Sequence, residues 1–436
     1  TRLNSSAASD VYKRQVVCPG DKSISQRILM IGSLLDQDIE ISGFLNALDP
    51  LSTLNALSCV GAKIKNDNTK IKIFNKTNFI SPKNDINLGN SGTGMRLMMG
   101  FISGLSIDAN LVGDHSLSKR PMMRVANPLN DMGSNITCTN DLPPVLIKRG
   151  NIVNNYKYEL PIASAQVKSS ILLAALTAKK NVTVIEPSAT RDHTEKMIEH
   201  FNGDIETHFK DGKNYIKLLT SNLTSNSSYE IVGDFSSASF LIVACLISKN
   251  SRILIKNVGL NQTRSGLINL LKKMGANINI VNQSKKSNED VGDLEVFSSE
   301  LVGVDVPEEI IPNIIDEIPI FSIAASFANG ETSIKGASEL RVKESDRLEA
   351  IADGLKALNI KYELYDDGIK IFGQNKNITP RNYVNSYGDH RIAMSFLIAS
   401  VRSNSEIMVE DCENILTSFP NFVETMNSLG MKIYEK

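Results

Sequence analysis

The stretch Arg341–Arg347, reading RVKESDR, places Lys343, Glu344 and Arg347 within two turns of an expected helix start. A carboxylate held among cations can carry a proton while the cations fix a charged substrate beside it. The same grouping also describes a surface ion-pair cluster. Asp316 stands in an apolar run, IIPNIIDEIPI, where a lone carboxylate is costly without a partner or a task; it could equally cap a helix. His390, in GDHR, is a candidate partner for Glu344 or for a substrate oxygen. Lys22 and Arg27 lie within GDKSISQR, ahead of the apolar run Ile28–Leu35. A helix start exposes unpaired N–H groups and the positive end of the dipole, which suits a phosphate. Arg96, Arg120, Arg124, Arg191 and Arg391 recur at similar strand-to-helix turns. Singly each reads as a solvated cation; jointly they read as a set that closes around anions. No Ser/His/Asp order, nucleophilic-Cys pattern, Walker loop or metal-ligand spacing is present in the sequence.

These residues must be positioned by repeated elements. In GDKSISQR, Ser23 and Gln26 have capping-box spacing, which predicts a helix starting there. The pattern returns as GNSGTGMR at Gly89–Arg96, GDFSSASF at Gly233–Phe240 and GDHRIAM at Gly388–Met394, with looser versions at Pro161–Ser170 and Asp316–Ile323. A second marker, a small residue between an apolar helix end and a strand, recurs at Gly61, Gly133, Gly203, Gly275, Asn359 and Gly430, at intervals of 70–84 residues. Six units of one supersecondary motif, strand–helix–strand–helix and then one or two strands, therefore span nearly the whole chain. In the second helix of the fourth unit, Leu267, Leu270, Leu271 and Met274 fall on one apolar face; Leu348, Ile351, Leu355 and Leu358 repeat the pattern in the fifth. Three units per domain give one domain over 20–229 and a second combining 1–19 with 230–436. The polar stretches Thr220–Ser228 and Asn282–Asp290 read as surface loops.

Composition sets the bounds. At 436 residues the chain exceeds one ordinary core, and two domains of about 200 residues are expected. With 42% hydrophobic and 22% charged residues it reads as a soluble globular protein, and a net charge of −1 gives no electrostatic case for nucleic acid or an anionic membrane. Its apolar runs are too short for a membrane span. Five scattered cysteines without CxxC pairs point to a reducing cytoplasm, with neither a zinc site nor a disulfide frame. Residues 1–15 lack a secretory or transit pattern, and DVYKRQ at Asp10–Gln15 resembles translated adapter DNA, so the native N-terminal strand is expected to be partly missing or replaced.

Taken in order, GDKSISQR, LGNSGTGMR, DHSLSKRPM, SAQVKS, RDHTE, DEIP, RVKESDRL and GDHRIAMS resemble the motifs of the 5-enolpyruvylshikimate-3-phosphate (EPSP) synthase family, from about Val16 to the C-terminus. The resemblance implies an α/β protein of two inverted α/β barrel-type domains, each of three repeated βαβαββ units. It implies transfer of the enolpyruvyl group of phosphoenolpyruvate to the 5-hydroxyl of shikimate 3-phosphate, without cofactor or metal, by a cytoplasmic monomer. Carried over by motif, Lys22, Ser23 and Arg27 would hold shikimate 3-phosphate, with Lys22 also touching phosphoenolpyruvate. Ser164, Ala165, Gln166 and Arg191 would complete that site, joined by Asp316 and Lys343 from the other domain. Gly92, Arg120, Gln166, Arg347 and Arg391 would clamp phosphoenolpyruvate, with Asn90 and His390 as further candidates. Asp316 is the implied base at the hydroxyl, and Glu344, helped by Lys22, the implied proton carrier at the methylene carbon.

The chain departs from the family pattern at Gln26, Gly94, Glu339 and Thr417, where His, Ala, Asn and Lys are common. These departures resemble a divergent bacterial subgroup often less sensitive to glyphosate, although Gly92 is kept. The sister family, UDP-N-acetylglucosamine enolpyruvyl transferase, would place a reactive Cys in the loop that here reads DHSLSKRP, at Asp114–Pro121. A non-catalytic binding protein of the same fold is the remaining alternative. With ligands drawn from both halves, bringing cationic surfaces together is unfavourable until anions arrive, so closure should follow ligand. Saturating shikimate 3-phosphate alone is expected to reduce the radius of gyration in small-angle scattering; an unchanged curve would count against closure.

Overall fold

Six helices carry apolar side chains on every face and are correspondingly buried all round. They are α1 (Lys22–Gly32), α2 (Gly92–Leu105), α3 (Ala165–Ala178), α4 (Phe235–Ile247), α5 (Ile318–Ser326) and α6 (His390–Ala399). Serines inside them turn their hydroxyls back onto the helix: Ser322, Ser326 and Ser395 donate to the carbonyls of Ile318, Ser322 and Arg391. The computed structural model describes residues 1–6, 13–68, 70–75, 78–220, 222–224 and 227–436. Residues 7–12, which include the start of DVYKRQ, lie outside the described residues, as do Ser221, Ser225 and Asn226 of the polar stretch noted above.

The chain divides into two compact units. One comprises Thr1–Pro19, Val232–Ser284 and Asp290–Lys436; the other comprises Gly20–Ile231 and Lys285–Glu289. Each unit holds three of the buried helices and three small sheets of one topology: a parallel outer member, then two antiparallel additions. In the unit holding α1–α3, Ser228–Glu230 runs parallel to Ile39–Ser42, which pairs antiparallel with Lys70–Phe74 and then Lys63–Asn66. The other two sheets repeat this with Ile86–Asn87 and with Tyr156–Glu159 as the parallel member. In the unit holding α4–α6, the N-terminal segment completes two sheets. Lys13–Val17 runs parallel to Arg252–Gly259, and Arg2–Ser6 sits between Ile407–Glu410 and Lys432–Glu435. The remaining sheet has three strands, with Val302 and Asp305 bridging in parallel to its edge. Strand side chains alternate, as in buried Ile39 and Ile41 beside exposed Glu40, so the sheets cover the helices and turn their other face to solvent. Among the described residues no helix is long and apolar enough to cross a membrane.

The recurring marker has a physical cause. The second helix of every unit ends with a left-handed residue that lets the next N–H reach back to the last turn. That residue is Gly61, Gly133, Gly275, Asn359 or Gly430 in five units, and the reach-back bonds include Ala62 to Leu57, Ala276 to Leu271 and Met431 to Met426. In the third unit the left-handed residue is Asn202 (φ 56°), not Gly203, whose N–H instead donates to the Ile198 carbonyl at 2.8 Å. Asn tolerates the conformation because its short polar side chain bonds locally, so the glycine marker there reads one residue late.

Two other expectations change. The first helix starts at Lys22, capped by Asp21, whose carboxylate accepts from the Ile24 N–H; Ser23 lies inside the first turn and Gln26 is not a capping-box residue. Asn282–Asp290 is not a loop but the end of a β-ribbon formed by Asn277–Lys286 and Glu289–Phe297. Its two turn residues, Ser287 and Asn288, both have positive φ, which suits a two-residue hairpin, and the polar composition reflects the exposed end of the first strand, over Asn282–Lys285. From the left-handed caps we expect Gly275→Ala (φ 95°) to lower stability to urea by about 1–2 kcal/mol, and Asn359→Gly to change it by less than about 0.5 kcal/mol.

Candidate active site

In the unit built on α1–α3, the three helix starts are stitched together by side chains. Lys22 opens α1, half-buried, with Nζ 2.9 Å from Asp49 Oδ2. Gln26 is fully buried, and its Nε2 donates to Ser91 Oγ (2.6 Å), Thr53 Oγ1 (3.1 Å) and the Asp49 carbonyl (3.3 Å). Ser91 is the cap of α2, accepting from the Gly94 N–H. One amide thus ties the ion pair of Lys22 to the start of α2. Arg120 lies beside that start, donating to the Asn90 carbonyl, Asn90 Oδ1 and Ser116 Oγ, while Asn90 donates to Asp114. A Cβ on Gly92 would meet Arg120 Nη1 at 3.0 Å, so the missing side chain keeps this guanidinium close to the helix end.

Ser164 caps α3, with Ala165 and Gln166 in its first turn. Gln166 accepts from Arg96 Nη1 at 2.6 Å and donates to Thr93 Oγ1 at 2.9 Å, joining α3 to α2. In Arg27, 2% exposed, Nε donates to Thr194 Oγ1, Nη1 to the Ser23 carbonyl and Nη2 to Ser169 Oγ. Arg191 is half-buried in the loop just ahead of the helix His193–His200. Lys22, Ser23, Arg27, Asn90, Gly92, Arg120, Ser164, Ala165 and Gln166 therefore lie at, or one turn from, three linked helix N-termini.

In the other unit the candidates gather around one guanidinium. Arg347, 1% exposed, opens the helix Arg347–Ala357 and faces three carboxylates. Its Nε is 2.7 Å from Asp389 Oδ2, Nη1 is 3.1 Å from Asp316 Oδ1, and Nη2 is 3.5 Å from Glu344 Oε2. Burial alone would lower the Arg347 pKa, but Asp389, Glu344 and Asp316 together push it above the ordinary arginine value. Asp389 caps α6, accepting from the Arg391 and Ile392 N–H groups. His390 Nδ1 lies 2.6 Å from Glu344 Oε2, and Arg391 Nη1 donates to the Asp316 carbonyl at 3.0 Å. Asp316 does not cap α5; it faces Arg347 and Arg391 instead. Lys343 is half-buried at the end of the short helical turn Ser338–Val342.

Among the described residues, Glu344, Asp389 and His390 offer possible metal-ligand atoms within 4.8 Å of one another. The Arg347 guanidinium already provides positive charge beside Asp389 and Glu344, so their charge needs no ion. Sequence reasoning missed Asp49, Thr53, Thr194 and Asp389. Asp389 had a signal, an acidic residue directly before an apolar helix; the others act through contacts distant in sequence.

These features agree with a match to known proteins. The family model described as EPSP synthase (3-phosphoshikimate 1-carboxyvinyltransferase) matches residues 8–426. The chain belongs to the EPSP synthase family. Among curated EPSP synthase relatives, the 3-phosphoshikimate 1-carboxyvinyltransferase of Petrotoga mobilis is 47% identical over 420 residues, covering 95% of this chain and 96% of the relative. That of Ruthia magnifica is 45% identical, covering 95% of each. The solved EPSP synthase of Acinetobacter baumannii superposes with a TM-score of 0.85 at 38% identity over the full length of both chains. The enolpyruvyl transferase NikO of Streptomyces tendae, at 14% identity and a TM-score of 0.78, shares the fold. The fold is therefore the two-domain enolpyruvyl transferase fold, and the chain is an enzyme of the EPSP synthase kind rather than of the UDP-N-acetylglucosamine sister family.

Gly94, noted above as a departure from the EPSP synthase pattern, has a local reason. A Cβ there would lie 2.7 Å from Ser91 Oγ, 2.9 Å from Thr53 Oγ1 and 3.2 Å from Gln26 Nε2, so the Gln26 network occupies the space an alanine needs. Gly94→Ala is expected to lower stability by about 1–3 kcal/mol through overpacking at the α2 cap. Thr53→Ala in the same chain should recover part of the loss, as read from a thermal-unfolding double-mutant cycle.

Proposed function

We propose that the protein transfers the enolpyruvyl group of phosphoenolpyruvate to the 5-hydroxyl of shikimate 3-phosphate, giving 5-enolpyruvylshikimate 3-phosphate and phosphate. The observation that carries the assignment of roles is that Asp316 and Glu344 share one guanidinium but differ in their second partner. Asp316 faces Arg391, and Glu344 faces His390. Two carboxylates in different surroundings suit two separate proton transfers.

In the first step the substrate hydroxyl oxygen bonds to C2 of phosphoenolpyruvate. Its proton passes to Asp316, and C3 takes a proton from Glu344. In the second step C3 returns its proton to Glu344, the C2–C3 double bond re-forms, and the bond from C2 to the phosphate oxygen breaks, the leaving phosphate taking up the proton held by Asp316. Arg347 and Arg391 are now engaged with carboxylates. An arriving carboxylate or phosphate would take up N–H groups that Asp316 holds, freeing Asp316 for the hydroxyl proton. Lys22, Gly92, Arg120, Gln166, Arg347 and Arg391 are assigned to phosphoenolpyruvate. Lys22, Ser23, Arg27, Ser164, Ala165, Gln166, Arg191, Asp316 and Lys343 are assigned to shikimate 3-phosphate. We read the enzyme as a cytoplasmic monomer; its five free cysteines fit a reducing compartment.

The test is phosphate release from the two substrates by the wild type and by Asp316→Ala. Turnover by the wild type that falls at least about a hundredfold in the variant is expected, the size of a lost general base. Undiminished turnover in the variant would remove Asp316 from the chemistry. Tight binding of shikimate 3-phosphate without turnover by the wild type would favour a non-catalytic binding protein.

A further inference from the structure

Lys168 sits in the first turns of α3 with its side chain 1% exposed. Removing an ammonium from water costs several kcal/mol unless its partners compensate. Its partners converge from one region. Nζ is 2.7 Å from Glu195 Oε1, 3.1 Å from Glu186 Oε1 and 3.4 Å from the Thr190 carbonyl. Glu186 ends the strand Val182–Glu186, and Glu195 lies in the first turn of the helix His193–His200. Between them runs the irregular loop 187–192, with Thr190 near its middle. Thr190 is itself bound to Glu186, through its N–H to Oε1 (3.2 Å) and its hydroxyl to Oε2 (2.6 Å). Both ends and the middle of one loop are therefore fastened to a single ammonium.

That loop carries Arg191, and the neighbours of the triad carry Arg27. Thr194, beside Glu195, accepts from Arg27 Nε at 2.8 Å and donates to Ser169 Oγ at 2.8 Å. Ser169, beside Lys168, accepts from Arg27 Nη2 at 3.0 Å. We propose that Lys168, gripped by Glu186 and Glu195, is a positioning residue that sets Arg191 and Arg27 for shikimate 3-phosphate. The inference rests on the reaction proposed above and adds three buried residues to it. Burial would lower the Lys168 pKa, but Glu195 and Glu186 carry it above its ordinary value. Burial raises that of Glu195 against the pull of Lys168. The ammonium is thus a standing charge rather than a switch. A role in stability alone would be served as well by apolar side chains of similar volume, since buried ion pairs seldom exceed them. Here every charged partner instead flanks the loop.

The test compares steady-state kinetics of the wild type, Lys168→Met and the near-isosteric Glu195→Gln with both substrates varied. Both variants are expected to raise the KM for shikimate 3-phosphate about tenfold, with the KM for phosphoenolpyruvate and the saturated kcat within about threefold of wild type. If Lys168→Met does not fold, Glu195→Gln decides the matter. An unchanged KM for shikimate 3-phosphate, or a loss confined to kcat in proportion to the folded fraction, would overturn the positioning role. A wild type that does not turn over the two substrates would instead sink the reaction itself.

Discussion

A guanidinium with 1% of its surface in water must be surrounded by acceptors, and Arg347 is met by Asp389, Asp316 and Glu344. Stranding such a charge by removing a partner costs about 3–5 kcal/mol, far more than an exposed pair is worth. The cost falls on three places at once. Asp389 divides its carboxylate, with Oδ1 accepting from the first N–H groups of α6 and Oδ2 from Arg347. The start of α6, with His390 and Arg391 on it, therefore cannot slide without either uncapping the helix or unpairing the arginine. Asp316 and Glu344 are held by the same centre, so the two groups assigned to proton transfer have their positions fixed by one electrostatic requirement.

The α1–α3 unit buries a guanidinium of its own. Arg27 is as deeply buried as Arg347, and its bonds to two hydroxyls and a carbonyl tie it to three helices. Carboxylates in this unit also hold Lys22, through Asp49, and Lys168, through Glu186 and Glu195.

The sequence made the repeats legible because their signals are local. A helix that must turn into a strand within two residues needs a left-handed position, and glycine or asparagine there is dictated by backbone sterics. The same locality explains the errors. Ser23 and Gln26 have capping-box spacing, yet Asp21 reaches the Ile24 N–H first, and Gln26 is drawn to Ser91 and Thr53, which lie 65 and 27 residues away. The ribbon at Asn277–Phe297 hid because its first strand is exposed and polar, and only the pair Ser287–Asn288 marks its turn. Motif resemblance found the residues at the helix starts. It did not flag Lys168, whose partners Glu186 and Glu195 come from two other elements of the third repeat.

The fifth repeat shows how the local rule yields to the site. Five of the six buried helices are capped by a side chain, from Asp21, Ser91, Ser164, Asp234 and Asp389. At α5 the cap position is Glu317, which makes no capping bond; its carboxylate is turned to Ser236 and lies 3.7 Å from Arg391. The omission is tolerable because Pro319 stands in the first turn of α5, where proline removes an N–H that would otherwise need a partner. With less demand at the helix end, both acidic residues before it are released from capping. Glu317 braces Arg391 and Ser236, and Asp316 is left facing the two arginines. Departure from the repeat's own pattern occurs at the carboxylate assigned to the hydroxyl proton, the kind of position at which local consistency is given up.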